Sequence, residues 1–493
     1  MYHKITCTAM KSTMITFRHN YPVNRSTGLI LSFILFVLSA QNSFAQENSF
    51  KYDYVGDFHD GMAMVMNHGL CGFIDRSGYD TITKQFSYAW DFQDGMARVA
   101  MTADGHPITF RSENHGWSRK TYDYQIYYYP IDENCKYGFI DKKGNIVVPI
   151  VYDGAYDFRE GYSIVWKDGK YGLIDLNGLT VIPLVYDDLR YDSNSSFIVV
   201  GKDGKYGYLD FTGETVIPLE YDGCGYFSEG LAIVKKGDKC GFIDKSGDVV
   251  IPFDYDGNNN MYGKFVSGHF LILKNKQMHV IDRKGTIVFS IGSYKLVTSD
   301  FLSDGLAITR ADNTLEIIDT NWHKQKTYNC NMLLFDYSKT DSSYIIQTVG
   351  KGNKKRKRIN GNKIMVPVTR YGVMDINGHY LTTKKYDAIG RLSENRATAR
   401  INNKMGFMNE KAEIIIPIRY WDVGSFSEGL AMVAKKGKCG FIDTTGSTVI
   451  PLEYDNARSF NEGLAAVKKN GKWGFIDKSG NMLVLSAKET VQQ

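Results

Sequence analysis

The 493-residue sequence has little of what catalysis, disulfide scaffolding or membrane spanning requires. It contains no H-E-x-x-H, no G-x-S-x-G, no phosphate-binding glycine loop and no C-x-x-C pair, so no catalytic, nucleotide or structural-zinc motif is present. Its ten histidines are scattered and suggest no metal or cofactor site. Runs of ten or more residues with a 3.6-residue apolar period, the mark of a helix, are missing. Net charge is scarce too. The first 45 residues hold Lys4, Lys11, Arg18 and Arg25 and no acid, and removing them leaves 55 basic against 54 acidic residues. Near-neutrality argues against a nucleic-acid partner, which calls for a cationic face.

Those first 45 residues read as a secretory signal. A basic stretch precedes the apolar segment from Leu29 to Ala40, and Ser43-Phe44-Ala45 supplies the small residues of a cleavage site after Ala45. The apolar segment is too short for a helix of the roughly 20 residues that cross a bilayer. The expectation is a chain exported from a bacterium to the periplasm, cell envelope or medium, with no transmembrane segment once matured.

What is present is repetition. A glycine, an apolar pair and an aspartate recur eleven times, most clearly at Gly138-Phe-Ile-Asp141, Gly241-Phe-Ile-Asp244, Gly440-Phe-Ile-Asp443 and Gly474-Phe-Ile-Asp477. Variants stand at Gly72, Gly172, Gly207, Gly372 and Gly406, and degenerate copies at His279 and Glu316. From Gly138 to Gly241 the steps are 34, 35 and 34 residues, and from Gly372 to Gly474 each is 34. A fixed period of this length signals stacked repeats. In the unit from Phe426 to Phe460, the apolar runs at Leu430–Val433, Cys439–Asp443 and Val449–Pro451 are separated by Lys436-Gly437-Lys438 and Asp443-Thr-Thr-Gly446. Short runs of this composition between Gly and Asp turns spell strands and hairpins, hence a β-meander. Gly446 suits a turn position with positive φ, and the aspartate before it can hold the turn's amides. The prolines at 149, 183, 218, 252, 417 and 451 are expected to end the third strand, and the Tyr-Asp pairs after them to pack on the next unit.

The phrase Gly471-Lys-Trp-Gly-Phe-Ile-Asp-Lys-Ser-Gly480, with the lead-in Phe460-Asn-Glu-Gly-Leu-Ala465, resembles the WG-containing repeat family over roughly residues 51 to 486. Only Trp473 keeps the Trp of that family's Trp-Gly pair; Tyr137, Tyr171, Tyr206, Met405, Cys71, Cys240 and Cys439 stand in its place elsewhere. The resemblance implies a β-repeat scaffold, often exported, and no catalytic residue. Cysteines in that slot are expected to be small buried hydrophobes rather than disulfide partners, with Cys224 matching Ala155 and Ala457. A single bond involving Cys135 or Cys330 stays open. Each D-x-x-G turn has one carboxylate, too few for a calcium loop.

Two insertions break the period. Between Val99 and Gly138 lie aromatic residues Trp117, Tyr122, Tyr124, Tyr127, Tyr128 and Tyr129, a candidate binding loop or an extended hairpin that merely packs on the next unit. Between Val349 and Gly372 lies the run Lys354, Lys355, Arg356, Lys357 and Arg358, which either grips anions or remains a solvated loop.

One meander cannot bury its own apolar face, so the units must stack. The expected fold is all-β: about eleven β-meander repeats in an open superhelical array, with closure into one or two propellers as the alternative. The divisions are a signal at 1–45, repeats at 46–290 with the insertion at 102–134, degenerate repeats at 291–370 with the insertion at 350–366, repeats at 371–486 and a tail at 487–493. The expected function is a non-enzymatic exported scaffold that binds a protein or glycan. A purely structural envelope component is the alternative, and a hydrolase whose carboxylates converge from different repeats is more remote.

Overall fold

A computed structural model describes residues 50–102, 135–191, 197–257, 263–292 and 386–483, and the strands and some adjoining residues between 296 and 382. The leader and the loop bearing Trp117 and Tyr122 to Tyr129 lie outside the described residues. Eleven antiparallel sheets follow one another along the chain, eight of four strands and three of three, and within each the strands are neighbours in sequence order. The tandem meander array is therefore as expected.

The unit around Gly440 shows why these residues make this sheet. Its strands are Asp422–Val423, Leu430–Lys435, Lys438–Asp443 and Thr448–Tyr454. Glu428-Gly429 and Lys436-Gly437 each form a two-residue loop with positive φ at both positions, at 55° and 85° and at 52° and 79°. Such turns carry the right-handed twist that flanking strands share. At the last turn Gly446 donates to the Asp443 carbonyl at 2.9 Å, while the Asp443 carboxylate accepts from the amides of Thr445 and Ser447, both at 2.9 Å. Val433, Phe441, Ile442 and Ile450 supply the buried faces.

Gly440 has a second reason to be glycine. A Cβ there would stand 2.5 Å from the Ile450 carbonyl oxygen and 2.6 Å from that of Pro451. The fourth strand bulges onto this glycine, because pairing slips between Cys439↔Tyr454 and Phe441↔Ile450. Pro451 sits at that bulge, in the middle of Thr448–Tyr454. The prolines thus do not end the strand, as the sequence had suggested; they occupy an irregularity on an edge strand, where a missing N–H breaks no ladder. The degenerate units fit this account. His279 pairs with Ser290, and Glu316 with Thr327, so Gly and Pro are lost together from opposite positions.

Neighbouring units interlock by a recurring aromatic contact. Phe441 meets Phe460 edge-on at 4.8 Å between ring centres, Phe139 meets Phe158 at 4.6 Å, and Phe73 meets Phe92 at 4.8 Å. Each such pair is worth about 0.5–1.5 kcal/mol beyond its area burial. Cys71, Cys224, Cys240 and Cys439 are buried thiols, and burial pushes Cys71 up to about 12 and Cys439 to about 11, which leaves them unreactive.

The two ends of the array meet through this same set of contacts, the closure that stood as the alternative to an open array. Phe475 of the last unit lies edge-on to Phe58 of the first at 4.9 Å. The last sheet has three strands of its own, and its edge is completed from both termini. Leu483 donates to Phe475 at 2.8 Å, while Tyr52 and Trp473 exchange backbone hydrogen bonds at 3.3 and 2.9 Å. Tyr52 and Trp473 hold the places that Tyr454 and Cys439 hold one unit earlier.

Candidate binding face

The second strands run from a tight turn, mostly Glu-Gly or Asp-Gly, to the hairpin that leads into the third strand, so the two turns lie at opposite ends of the sheet, roughly 20 Å apart. At the first end, carboxylates link the units. Gly95 donates to Asp60, Gly161 to Asp94, Gly268 to Glu229, Gly429 to Glu394 and Gly463 to Glu428, at 2.8–3.1 Å. Gly61 of the first unit donates to Glu462 of the last at 2.9 Å.

The hairpin end is strapped by the aspartate of each Tyr-Asp pair. Asp455 accepts from Lys438 Nζ of the preceding unit at 2.6 Å and from the Asn470 amide of the following hairpin at 2.7 Å. Asp222 joins Lys205 at 2.6 Å and the Gly237 amide at 2.6 Å in the same way. Lys136–Asp153, Lys170–Asp187 and Arg370–Asp387 repeat the tie. The lysine hydrogen bond holds Asp153, Asp187, Asp222 and Asp455 below the usual carboxylate range. Where the aspartate is replaced by Trp421, Lys404 Nζ stands 4.9 Å from the indole centre instead. The sequence suggested only that these Tyr-Asp pairs pack on the next unit and did not reveal the strap, although the Lys-to-Asp spacing of 17 residues recurs.

Both insertions leave from this end. The aromatic insertion joins strands that pair as Met101↔Lys136, at the base of a second-to-third-strand hairpin. The basic insertion occupies the corresponding hairpin, with strands Ser343–Ile359 and Asn362–Asp375. Lys354 to Arg358 pair residue by residue with Pro367 to Lys363, so the run lies on a two-stranded ribbon rather than in an irregular loop. The Lys136 and Arg370 ties fix both hairpins in the common register.

A second polar cluster lies on and beside the first strands of units near the seam. His59 Nε2 is 3.5 Å from Asp91, Arg98 Nε 3.1 Å from Asp157, and Arg458 of the last unit 3.7 Å from Asp57. Arg98 also covers the Trp90 ring at 4.0 Å. Asp91 is surrounded by protein yet keeps 47% of its side chain open to solvent, and burial raises its carboxyl to about 6. Among the described residues, no three His, Cys, Asp or Glu side chains gather to hold a metal, and no helix is long and apolar enough to cross a membrane.

Sheets in tandem, recurring Lys–Asp straps between units and insertions at one turn define a β-meander repeat scaffold. The chain belongs to the WG containing repeat family, whose model matches residues 49–71, 72–101, 137–171, 171–206, 206–240, 241–276, 371–404, 405–439 and 440–473, more than half of its length. No curated protein matches it in sequence. Among solved structures it is similar to a eukaryotic initiation factor, with 10% identity, a TM-score of 0.36 and coverage of 67% of this chain and 87% of that one. BamB from Moraxella catarrhalis gives 9% identity, a TM-score of 0.24 and coverage of 62% and 95%. Kluyveromyces lactis Hsv2 gives 10% identity, 0.27, and 64% and 93%.

Proposed function

We propose that this protein is an exported, non-enzymatic scaffold that recognises a protein or glycan partner through the hairpin end of its repeats. The observation that carries this reading is that both insertions depart from the same turn of the repeat. Equivalent turns lie at the same end of their sheets, so the two insertions depart from a common end, and insertions on one face of a repeat array commonly form its binding surface. The repeated carboxylates support the non-enzymatic half. Asp443 serves its own turn, Asp455 its strap and Glu428 the next unit's glycine, which leaves these groups to the scaffold rather than to a reaction. Export rests on the leader described above.

The test is a glycan-array and envelope pull-down with residues 46–493, beside a variant whose residues 104–132 are replaced by a short Gly-Ser turn. Capture by the intact protein alone assigns recognition to the aromatic insertion. Capture by both assigns it to the repeats and the basic ribbon. Capture by neither, with both folded, overturns the binding reading in favour of a structural role. Fractionation and N-terminal sequencing of the cellular protein test export, which an intact leader on a cytoplasmic protein would contradict.

A further inference from the structure

The charges of this nearly neutral chain are not spread evenly over its two ends. From Tyr344 to Met374 the sequence has eight basic residues and no acidic one, and this stretch is the ribbon of paired strands. Beyond the point where other units turn, each of its strands continues for about ten residues, on the order of 30 Å. Arg370 at its base is tied to Asp387 of the next unit. The hairpins that follow along the array continue the positive charge. Lys404 stands at the first, and Lys435 and Lys436, both exposed, with Lys438 at the second. Lys468, Lys469 and Lys472 stand at the third. Acidic groups at this end of those units are the strap residues Asp387, Asp455 and Asp53, which face Arg370, Lys438 and Lys472, with Glu453 facing Lys469 and Asp422 beside the hairpin of Lys435. The Glu-Gly and Asp-x-x-Gly turns, with their carboxylates, lie at the opposite strand ends.

We infer that the ribbon and the hairpin ends of the C-terminal units form one cationic surface that binds an anionic polysaccharide. This rests on the reading of the hairpin end as the binding face and names the chemistry of its partner. A ribbon of about 30 Å and three successive hairpins present charge over a length that suits an extended polymer carrying a charge on each sugar. The hairpin tips are Asn402-Asn403, Lys436-Gly437 and Asn470-Gly471, none of them apolar, and the exposed aromatic beside the first, Trp421, lies under Lys404 Nζ rather than standing out as a wedge that would enter a bilayer.

The experiment measures binding of residues 46–493 to sodium polygalacturonate, with neutral dextran as reference and with vesicles containing anionic phosphatidylglycerol as a separate arm. One variant changes Lys354, Lys355, Arg356, Lys357 and Arg358 to Gln. A charge-matched control changes Lys142, Lys143, Lys245, Lys284 and Lys411 to Gln, all at the opposite strand ends. The expected result is salt-sensitive binding to polygalacturonate but not dextran, weakened at least tenfold in the ribbon variant and less than twofold in the control, with both melting as the parent does. Equal weakening in both variants overturns the inference, since charge alone would then account for binding. So does the absence of polygalacturonate binding, or binding to vesicles alone. Should the ribbon variant fail to fold, a variant of Lys435, Lys436 and Lys469 to Gln takes its place, and unchanged affinity there also overturns it. If polygalacturonate fails while the pull-down still depends on residues 104–132, only this inference falls and the binding reading stands.

Discussion

Lys472, near the end of the last repeat, pairs with Asp53, at the start of the first. The contact is the one that joins Lys438 to Asp455 between consecutive repeats, down to the second hydrogen bond that each aspartate accepts, from His68 N at 2.8 Å and from Asn470 N at 2.7 Å. A junction between residues more than 400 apart is thus built like a junction between neighbours, and its removal should be felt alike. Asp53→Asn and Asp455→Asn should each cost on the order of 1 kcal/mol, the scale of one amide hydrogen bond and a partly exposed ion pair. Denaturant titration measures both. A loss at Asp455 with none at Asp53 would mean that the seam is not formed in solution.

The glycine of the Gly-Phe-Ile-Asp phrase should be the least replaceable residue of its unit. Gly440→Ala places a methyl against two backbone carbonyls and should cost about 3 kcal/mol, in the upper range for single substitutions. Gly429→Ala meets no atom within 4 Å and carries only the penalty of positive φ, about 1 kcal/mol. Equal losses at the two sites would contradict the bulge account.

Because a Cβ at Gly440 would stand 2.6 Å from the Pro451 carbonyl oxygen, the two positions should be coupled. Gly440→Ser combined with Pro451→Ser should be less damaging than the sum of the two changes by about 1 kcal/mol, within the range for residues in contact. A double-mutant cycle on melting data checks this, and strict additivity would count against it.

Acid and base should act on different groups. Asp53, Asp153 and Asp455 are held low, first by their lysine hydrogen bonds. Their contribution is complete above the unfolded value of about 3.9 and is lost as pH falls through the lower folded value. Asp91 is raised to about 6 by burial, so its contribution has the opposite sign: complete below about 4, and lost as pH rises through 6. Asp91→Asn should therefore raise the melting temperature at pH 8 and leave it unchanged at pH 4. A lower melting temperature at pH 8 would show that the ionised carboxylate is stabilising.

Much of this was legible in sequence because a repeat states its own logic many times over. The 34-residue step, the hairpins and the turn at Gly446 follow from spacing and residue type. The burial of Cys71, Cys240 and Cys439 follows from the slot they share with Trp473. The short first strand, Asp422–Val423, was not legible, because two residues carry no period. Pro451 was placed at a strand end because a missing N–H suggests one, whereas the bulge that tolerates it depends on Gly440 across the ladder. The Lys-Asp straps were written in the sequence at constant spacing but look like ordinary turn chemistry until neighbouring units are set side by side. Closure leaves no local trace, since Tyr52 and Trp473 look the same whether or not they meet.

The central claim is that the repeats return to their start. Ser77, Thr445 and Ser479 hold the same exposed turn position in the first and the last two units, so spin labels on unnatural residues at these sites report it by pulsed dipolar spectroscopy. The account expects the Ser77–Ser479 distance to match that of Thr445–Ser479, which are adjacent repeats. A Ser77–Ser479 distance far longer than the reference, or too long to register, would contradict it and leave the array open.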